Sequence, residues 1–152
     1  MRIRKFRKED ARKVSNLIIK AQWETLSKYY PKKTIDAFCG WSKPSDILRK
    51  SRERDYYVAV EKGKILGVNG IKKNMVRTMF VNPKYHKRGI GKKLLENIEK
   101  IAKKRKIKKL KVGSTIFAER FYKKCGFKRV KKDRWEHKGI KFDVIVMEKS
   151  IK

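Results

Sequence analysis

Between two apolar runs the sequence reads Val81-Asn82-Pro83-Lys84-Tyr85-His86-Lys87-Arg88-Gly89-Ile90-Gly91-Lys92-Lys93-Leu94-Leu95. A strand-like run stops at Pro83, a basic loop with glycines follows, and an amphipathic helix pattern begins directly after it. This order builds an anion cradle. The first amides of a helix have no intrahelical acceptor and lie at the positive end of its dipole, so a phosphate placed there satisfies them. Gly89 and Gly91 lack a Cβ, which lets phosphate oxygens approach the backbone closely. Spacing excludes two phosphate loops. A P-loop requires GxxxxGK and then Ser or Thr, whereas Gly91-Lys92 is followed by Lys93. A dinucleotide loop requires GxGxxG, and its third glycine position is Leu94 here.

Other reactive side chains carry less. Cys39 and Cys125 lie far apart and form no CxxC pair, so neither a disulfide framework nor a metal site is expected. Ser114 has no His and Asp partner pattern, which argues against a hydrolase triad. His137 sits in a charged late segment and reads as an exposed side chain. Trp23, Tyr29, Tyr30, Trp41 and Trp135 could line an acceptor groove, although aromatic residues in such segments more often pack a core.

The elements that must position the cradle follow from periodicity. Ile3 to Phe6 alternates as a strand, and a helix starting at Asp10 carries Val14, Leu17, Ile18 and Ala21 on one stripe. Trp23 to Arg54 is helical but interrupted at Pro31 and Pro44. Tyr56 to Val60, a turn at Glu61 to Lys64, and Ile65 to Ile71 form a hairpin, and the Asn69-Gly70 pair predicts that its second strand ends there or carries a bulge. Met75 to Val81 is a third strand. Gly91 to Lys106 is the clearest helix, with Leu94, Leu95, Ile98 and Ile101 on one face. Leu110 to Gly113 is a strand, Phe117 to Lys124 a short helix stopped by Gly126, and Phe127 to Val130 and Phe142 to Glu148 are the last strands. Hairpin strands first and a βαβ-like unit later predict an α/β (α+β) fold with a mixed sheet flanked by helices.

The cradle, with Met79-Phe80-Val81-Asn82-Pro83 before it and Leu94-Leu95 after it, resembles the GNAT acetyltransferase superfamily. That family's pyrophosphate loop reads Arg or Gln, two residues, Gly, one residue, Gly or Ala; here it is His86-Lys87-Arg88-Gly89-Ile90-Gly91. A second family block stands at the expected distance, Ala118-Glu119-Arg120-Phe121-Tyr122-Lys123-Lys124-Cys125-Gly126-Phe127. The resemblance runs through the chain and implies one GNAT-like domain over residues 1–152. It implies a mostly antiparallel sheet with a V-shaped splay between two central strands, and acetyl-CoA as co-substrate without a metal. Backbone groups of Met79 and Val81, on either side of Phe80, would hold the pantetheine arm, and the amides of Lys87, Arg88, Gly89, Ile90, Gly91 and Lys92 the pyrophosphate. Tyr122 would protonate the departing thiolate.

The residues also depart from the family pattern. His86 stands where Arg or Gln is usual, and Thr115 where many members carry Asn beside the pantetheine. The strand Met75 to Val81 holds no Glu to deprotonate an amine. A water relay, an acid from elsewhere such as Asp55 or Glu136, or an acceptor amine of low pKa remain as routes for that proton.

The implied activity is N-acetyl transfer to a primary amine, of a small molecule or a protein, by direct attack in a ternary complex. Charge supplies a competing expectation. Lys and Arg number 46 against 15 Asp and Glu, a formal +31 spread along the whole length. Such a surface attracts polyanions, so a nucleic-acid- or ribosome-associated basic protein on the same fold, or an acidic protein partner, stays open beside a lysine-rich composition without function. No apolar run reaches the ~18 residues of a membrane span, and a cytoplasmic monomer or homodimer is expected.

Overall fold

The computed structural model describes residues 1–152. Strand β1, Arg2–Lys5, leads through a 3-10 turn at Lys8–Asp10 into helix α1, Ala11–Leu26. The stripe Val14, Leu17, Ile18 and Ala21 is buried, the face that an amphipathic helix must cover. The prolines start helices: Pro31 caps α2, Lys32–Gly40, and Pro44 opens α3, Pro44–Ser51, positions where a missing amide costs nothing. The hairpin comprises β2, Asp55–Glu61, and β3, Lys64–Lys72, followed by β4, Met75–Val81. Then come α4, Ile90–Lys104, β5, Lys109–Ser114, and α5, Glu119–Lys124. Strands β6, Lys128–His137, and β7, Ile140–Ser150, close the chain.

The strands form one sheet in the order β1-β2-β3-β4-β5-β7-β6. Every neighbouring pair is antiparallel except β4 and β5, so the sheet is mixed and mostly antiparallel, as expected. On one face Leu95, Ile98 and Ala102 of α4 pack with Ile71, Val76 and Leu110 and with Tyr122 of α5. On the other, Val14, Leu17 and Ile18 of α1 and Ile47 of α3 cover Tyr56, Val58 and Val68. Each fully buried aliphatic side chain contributes roughly 1.5–3 kcal/mol against exposure.

β4 and β5 pair only at Met75 with Lys111 and Val76 with Val112, and then diverge. A bulge in β4 sits where they part: Asn69 faces Met79 while Gly70 faces Arg77, leaving Thr78 as the extra residue at φ +60°. A bulge bends and twists its strand, which turns the rest of β4 away from β5. The bulge expected at Asn69-Gly70 therefore lies on the partner strand, and β3 runs through that dipeptide without turning. Gly70 is needed there because a Cβ would lie 2.5 Å from the Tyr56 ring. Asn69, fully buried, donates from Nδ2 to the Leu94 carbonyl of α4 at 3.0 Å.

The other departure from the sequence reading is β6, which runs past Val130 to His137. Arg129 faces Met147 and Lys131 faces Val146, so Val130 is a second bulge. β6 is an edge strand carrying Lys131, Lys132 and Arg134, and charged side chains keep such an edge from pairing with other chains. Solvation on nearly every position erases the alternation that would reveal a strand.

Asp10 ties β1 to the start of α1. Its carboxylate accepts from Arg4 at 2.8 and 3.0 Å and from the Arg7 amide at 2.8 Å. Burial raises its pKa, but the Arg4 and Arg7 bonds and charges outweigh this and hold it below the ordinary 3.8. A carboxyl with a depressed folded-state pKa stabilises fully above the unfolded value and loses that contribution as pH falls through the folded one. Asp10→Asn should cost about 1–2 kcal/mol at pH 7, and thermal melts should show the gap to wild type closing as pH falls well below the ordinary value. A gap that stays constant down to that range would rule the ion pair out as its source.

Candidate active site

The divergence of β4 from β5 opens a cleft of about 800 Å³. Its walls come from β4, the loop into α4, β5 and α5, with Ala21, Thr25 and Leu26 of α1 over one end. The loop from His86 to Gly89 is shaped by backbone angles: Lys87 has φ +66° and Gly89 φ +77°. Left-handed residues of this kind aim successive amides at one point. No backbone carbonyl accepts from the amides of Lys87 through Lys92; the first donor of α4 to find one is Lys93, bonded to the Gly89 carbonyl at 3.1 Å. A Cβ on Gly91 would lie 3.1 Å from the Phe121 ring, so any side chain there must displace that ring.

Met79, Phe80 and Val81 line the cleft on β4, where the strand has no partner on its β5 side beyond Val76, and Thr115 lines it after β5. His86, Lys87, Gly89, Ile90, Gly91 and Lys92 line it at the loop. Arg88 does not: its guanidinium pairs with Glu61 at 3.2 Å and lies over the Tyr85 ring, leaving only its backbone to the cradle. His86 Nε2 lies 3.1 Å from the Val81 carbonyl. A carbonyl only accepts, so Nε2 carries the proton in that contact. The Thr115 hydroxyl accepts from the Ala118 amide at 3.2 Å, fixing the entry to α5.

Tyr122 reaches the cleft from α5 while only 3 % exposed. Its ring is wedged against Phe121 and Phe127. Burial, and secondarily Cys125, pushes its phenol well above the ordinary tyrosine range, so it stays protonated at any physiological pH. Such a group can give a proton and cannot serve as a resting anion.

The cleft lining contains no Asp or Glu; its charged residues are Lys87, Lys92, Arg120 and Lys124, with His86 beside them. Asp55 is outside, paired with Arg105 at 2.6 Å. Glu136 is exposed on β6, opposite Lys141. Neither meets the cleft.

Sequence reasoning missed the α1 residues over the cleft and the Thr78 bulge. A β-branched residue at positive φ contradicts its own local preference, so no sequence signal announces it. The aromatic candidates separate: Trp23 and Tyr29 are exposed, whereas Tyr30 is buried and its hydroxyl bridges the Asp143 carbonyl and the Ile116 amide. Trp41 stacks edge-on with His137 at 4.3 Å. The Trp135 ring occupies the space a Cβ on Gly113 would need. Ser114 is buried and donates to the Thr115 carbonyl.

The family model for the acetyltransferase (GNAT) domain matches residues 27–151. The chain belongs to the GNAT acetyltransferase family. This GNAT protein is 26% identical over 144 residues to the uncharacterized N-acetyltransferase YafP of Escherichia coli, covering 93% of this chain and 91% of that one. Its fold superposes on a GCN5-related N-acetyltransferase from Rhodopseudomonas palustris with a TM-score of 0.92 at 20% identity, covering 98% and 94% of the two chains. It superposes on the PaiA N-acetyltransferase from Thermoplasma acidophilum, solved in complex with coenzyme A, with a TM-score of 0.78 at 22% identity and 98% of each chain. As a GNAT member it is an acyltransferase that uses acetyl-CoA as co-substrate. No group of three or more His, Cys, Asp or Glu side chains is placed to hold a metal ion, and no helix is long and apolar enough to cross a membrane.

Proposed function

We propose that residues 1–152 act as one domain that transfers an acetyl group from acetyl-CoA to a primary amine by direct attack in a ternary complex. The observation that carries this is the row of unbonded amides from Lys87 to Lys92 at one end of a cleft whose wall holds the protonated Tyr122. Acetyl-CoA supplies an activated thioester. The amides of Lys87 to Lys92 hold its pyrophosphate, and Met79, Val81 and Thr115 hold the pantetheine arm. The Tyr122 phenol keeps its proton until the carbon–sulfur bond breaks and then gives it to the thiolate, which needs it because a free thiol titrates near 8.5.

Without a carboxylate in the lining, the amine gives up its proton to water at the open mouth of the cleft. A cytoplasmic setting is part of this reading, since a CoA thioester is an intracellular metabolite. The basic surface does not by itself favour a nucleic-acid role, since the lysines of β6 already have a use in protecting a sheet edge.

Calorimetric titration with acetyl-CoA, using ATP as a phosphate control, tests this reading. Acetyl-CoA should bind at least tenfold more tightly than ATP at 150 mM salt, because the arm adds contacts that charge alone does not supply. Equal affinities that collapse together as salt rises would identify a polyanion-binding surface instead.

A further inference from the structure

The carboxylates near α3 and the start of β2 are committed elsewhere. Asp46 pairs with Arg49 at 3.1 Å, Glu53 with Lys72 at 4.0 Å and Asp55 with Arg105 at 2.6 Å. This leaves Lys50, Arg54 and Arg77 without a salt bridge, with Arg54 just before β2 and Arg77 two strands away, opposite the Gly70 that faces Tyr56. The Nε atoms of Arg54 and Arg77 are buried and bond to nothing, and Lys50 Nζ finds only the Trp41 carbonyl, at 2.8 Å. Burial and then Arg54 hold the Arg77 guanidinium below its ordinary range. Burial first, then Arg54, with Arg49 and Lys138 adding to it against Asp46, pushes the Lys50 ammonium down to about 8. Half-buried donors without acceptors are unfavourable, as are like charges brought near one another, and an oxyanion between them would relieve both.

The place of this cluster points to the acceptor. Arg77 stands between Val76 and Thr78, which both line the cleft. It faces the side of the sheet covered by α1 and α3, as does Tyr56, whose hydroxyl accepts from Thr78 Oγ1 at 3.3 Å. The phosphate cradle belongs to α4, which packs on the opposite face, so the phosphates of CoA do not use these arginines. Arg guanidinium groups suit planar and tetrahedral oxyanions through paired N–H donors.

We propose that the acceptor amine carries its own oxyanion, a carboxylate or a phosphate, and that Arg77 and Arg54 bind it beside the transfer cleft. This rests on the acetyltransferase reading and adds the chemical class of the substrate to it.

Two measurements on the full chain test the assignment. In the first, CoA-saturated protein is titrated with inorganic phosphate while the arginine Nε–H resonances are followed by NMR. Those of Arg54 and Arg77 should shift and saturate, ahead of surface arginines such as Arg12. If they stay fixed while surface arginines move, the anion site is disproved, whether or not the protein transfers acetyl groups. Failure of CoA to shift the Lys87 to Lys92 amides would instead remove the transferase reading.

The second measurement compares thiol release from acetyl-CoA with β-alanine against its amide, and with O-phosphoethanolamine against ethanolamine. The charged member of at least one pair should be preferred tenfold or more in kcat/KM, and the pair that shows it identifies carboxylate or phosphate. Arg77→Gln should collapse that preference to near unity through KM, whereas Lys128→Gln on the sheet edge should preserve it. Neutral acceptors turned over as well as charged ones by wild type would overturn the proposal.

Discussion

Tyr122→Phe lowers kcat at pH 7 by about a hundredfold or more, the range in which a positioned general acid contributes, and leaves the Kd for acetyl-CoA within about twofold. The substitution removes one oxygen and keeps the ring, whose centroid lies 5.1 Å from that of Phe121 and 5.4 Å from that of Phe127, so α5 remains seated. Burial holds the wild-type phenol in its protonated form, and the phenylalanine variant offers the departing thiolate nothing but solvent. The assay is thiol release at saturating acetyl-CoA, with a thermal melt to show that the fold is retained. A kcat within threefold of wild type would mean that the thiolate leaves without help from α5, and that Tyr122 serves the core alone.

Gly91→Val should weaken acetyl-CoA binding by at least a hundredfold, about 2.7 kcal/mol. A Cβ at this position already meets the Phe121 ring at 3.1 and 3.2 Å and Val81 Cγ2 at 3.6 Å, and the two methyls of valine must push Phe121 aside or project over the amides of the cradle. Either outcome separates the phosphate from the donors of the first helical turn, which carry the dipole's positive end. Calorimetry on both proteins at one salt concentration reads the loss directly. Unchanged affinity in the valine variant would show that the phosphates lie away from the start of α4.

The parts of this fold that could be read from the chain are those where one local signal agrees with its surroundings. Met75 to Val81 is a strand with those limits because apolar residues end at Asn82-Pro83. α4 shows itself through Leu94, Leu95 and Ile98, which are all fully buried. The misreadings have local causes. Asn69-Gly70 carries a turn signal, yet the side chain of Asn69 is needed by α4 and the bare Cα of Gly70 by Tyr56, requirements made by residues distant in sequence. Residues Lys131 to His137 look like a loop because an edge strand with Lys and Arg along it has no buried face to alternate with.

The cradle was legible because loop and helix start are contiguous in sequence. The other walls were not, since Ala21 and Thr25 meet Thr115 and Phe117 only through folding. Arg88 belongs to the motif by spacing, but Glu61 lies near enough to draw its side chain away. Asp55 and Glu136 could be weighed as proton acceptors only until their positions outside the cleft were known.

The parting of β4 from β5 has one more consequence. With pairing limited to Met75 and Val76 against Lys111 and Val112, the molecule is almost two sheets joined at a seam, one built from β1 to β4 and the other from β5 to β7. An extended arm with amides along it, laid in the gap, offers donors and acceptors to the free edges much as an added strand does. On the proposed reading the protein borrows a structural element from the metabolite it consumes. Each turnover would then remove and restore part of the architecture, and the cohesion of the two halves would rise and fall with the supply of its own co-substrate.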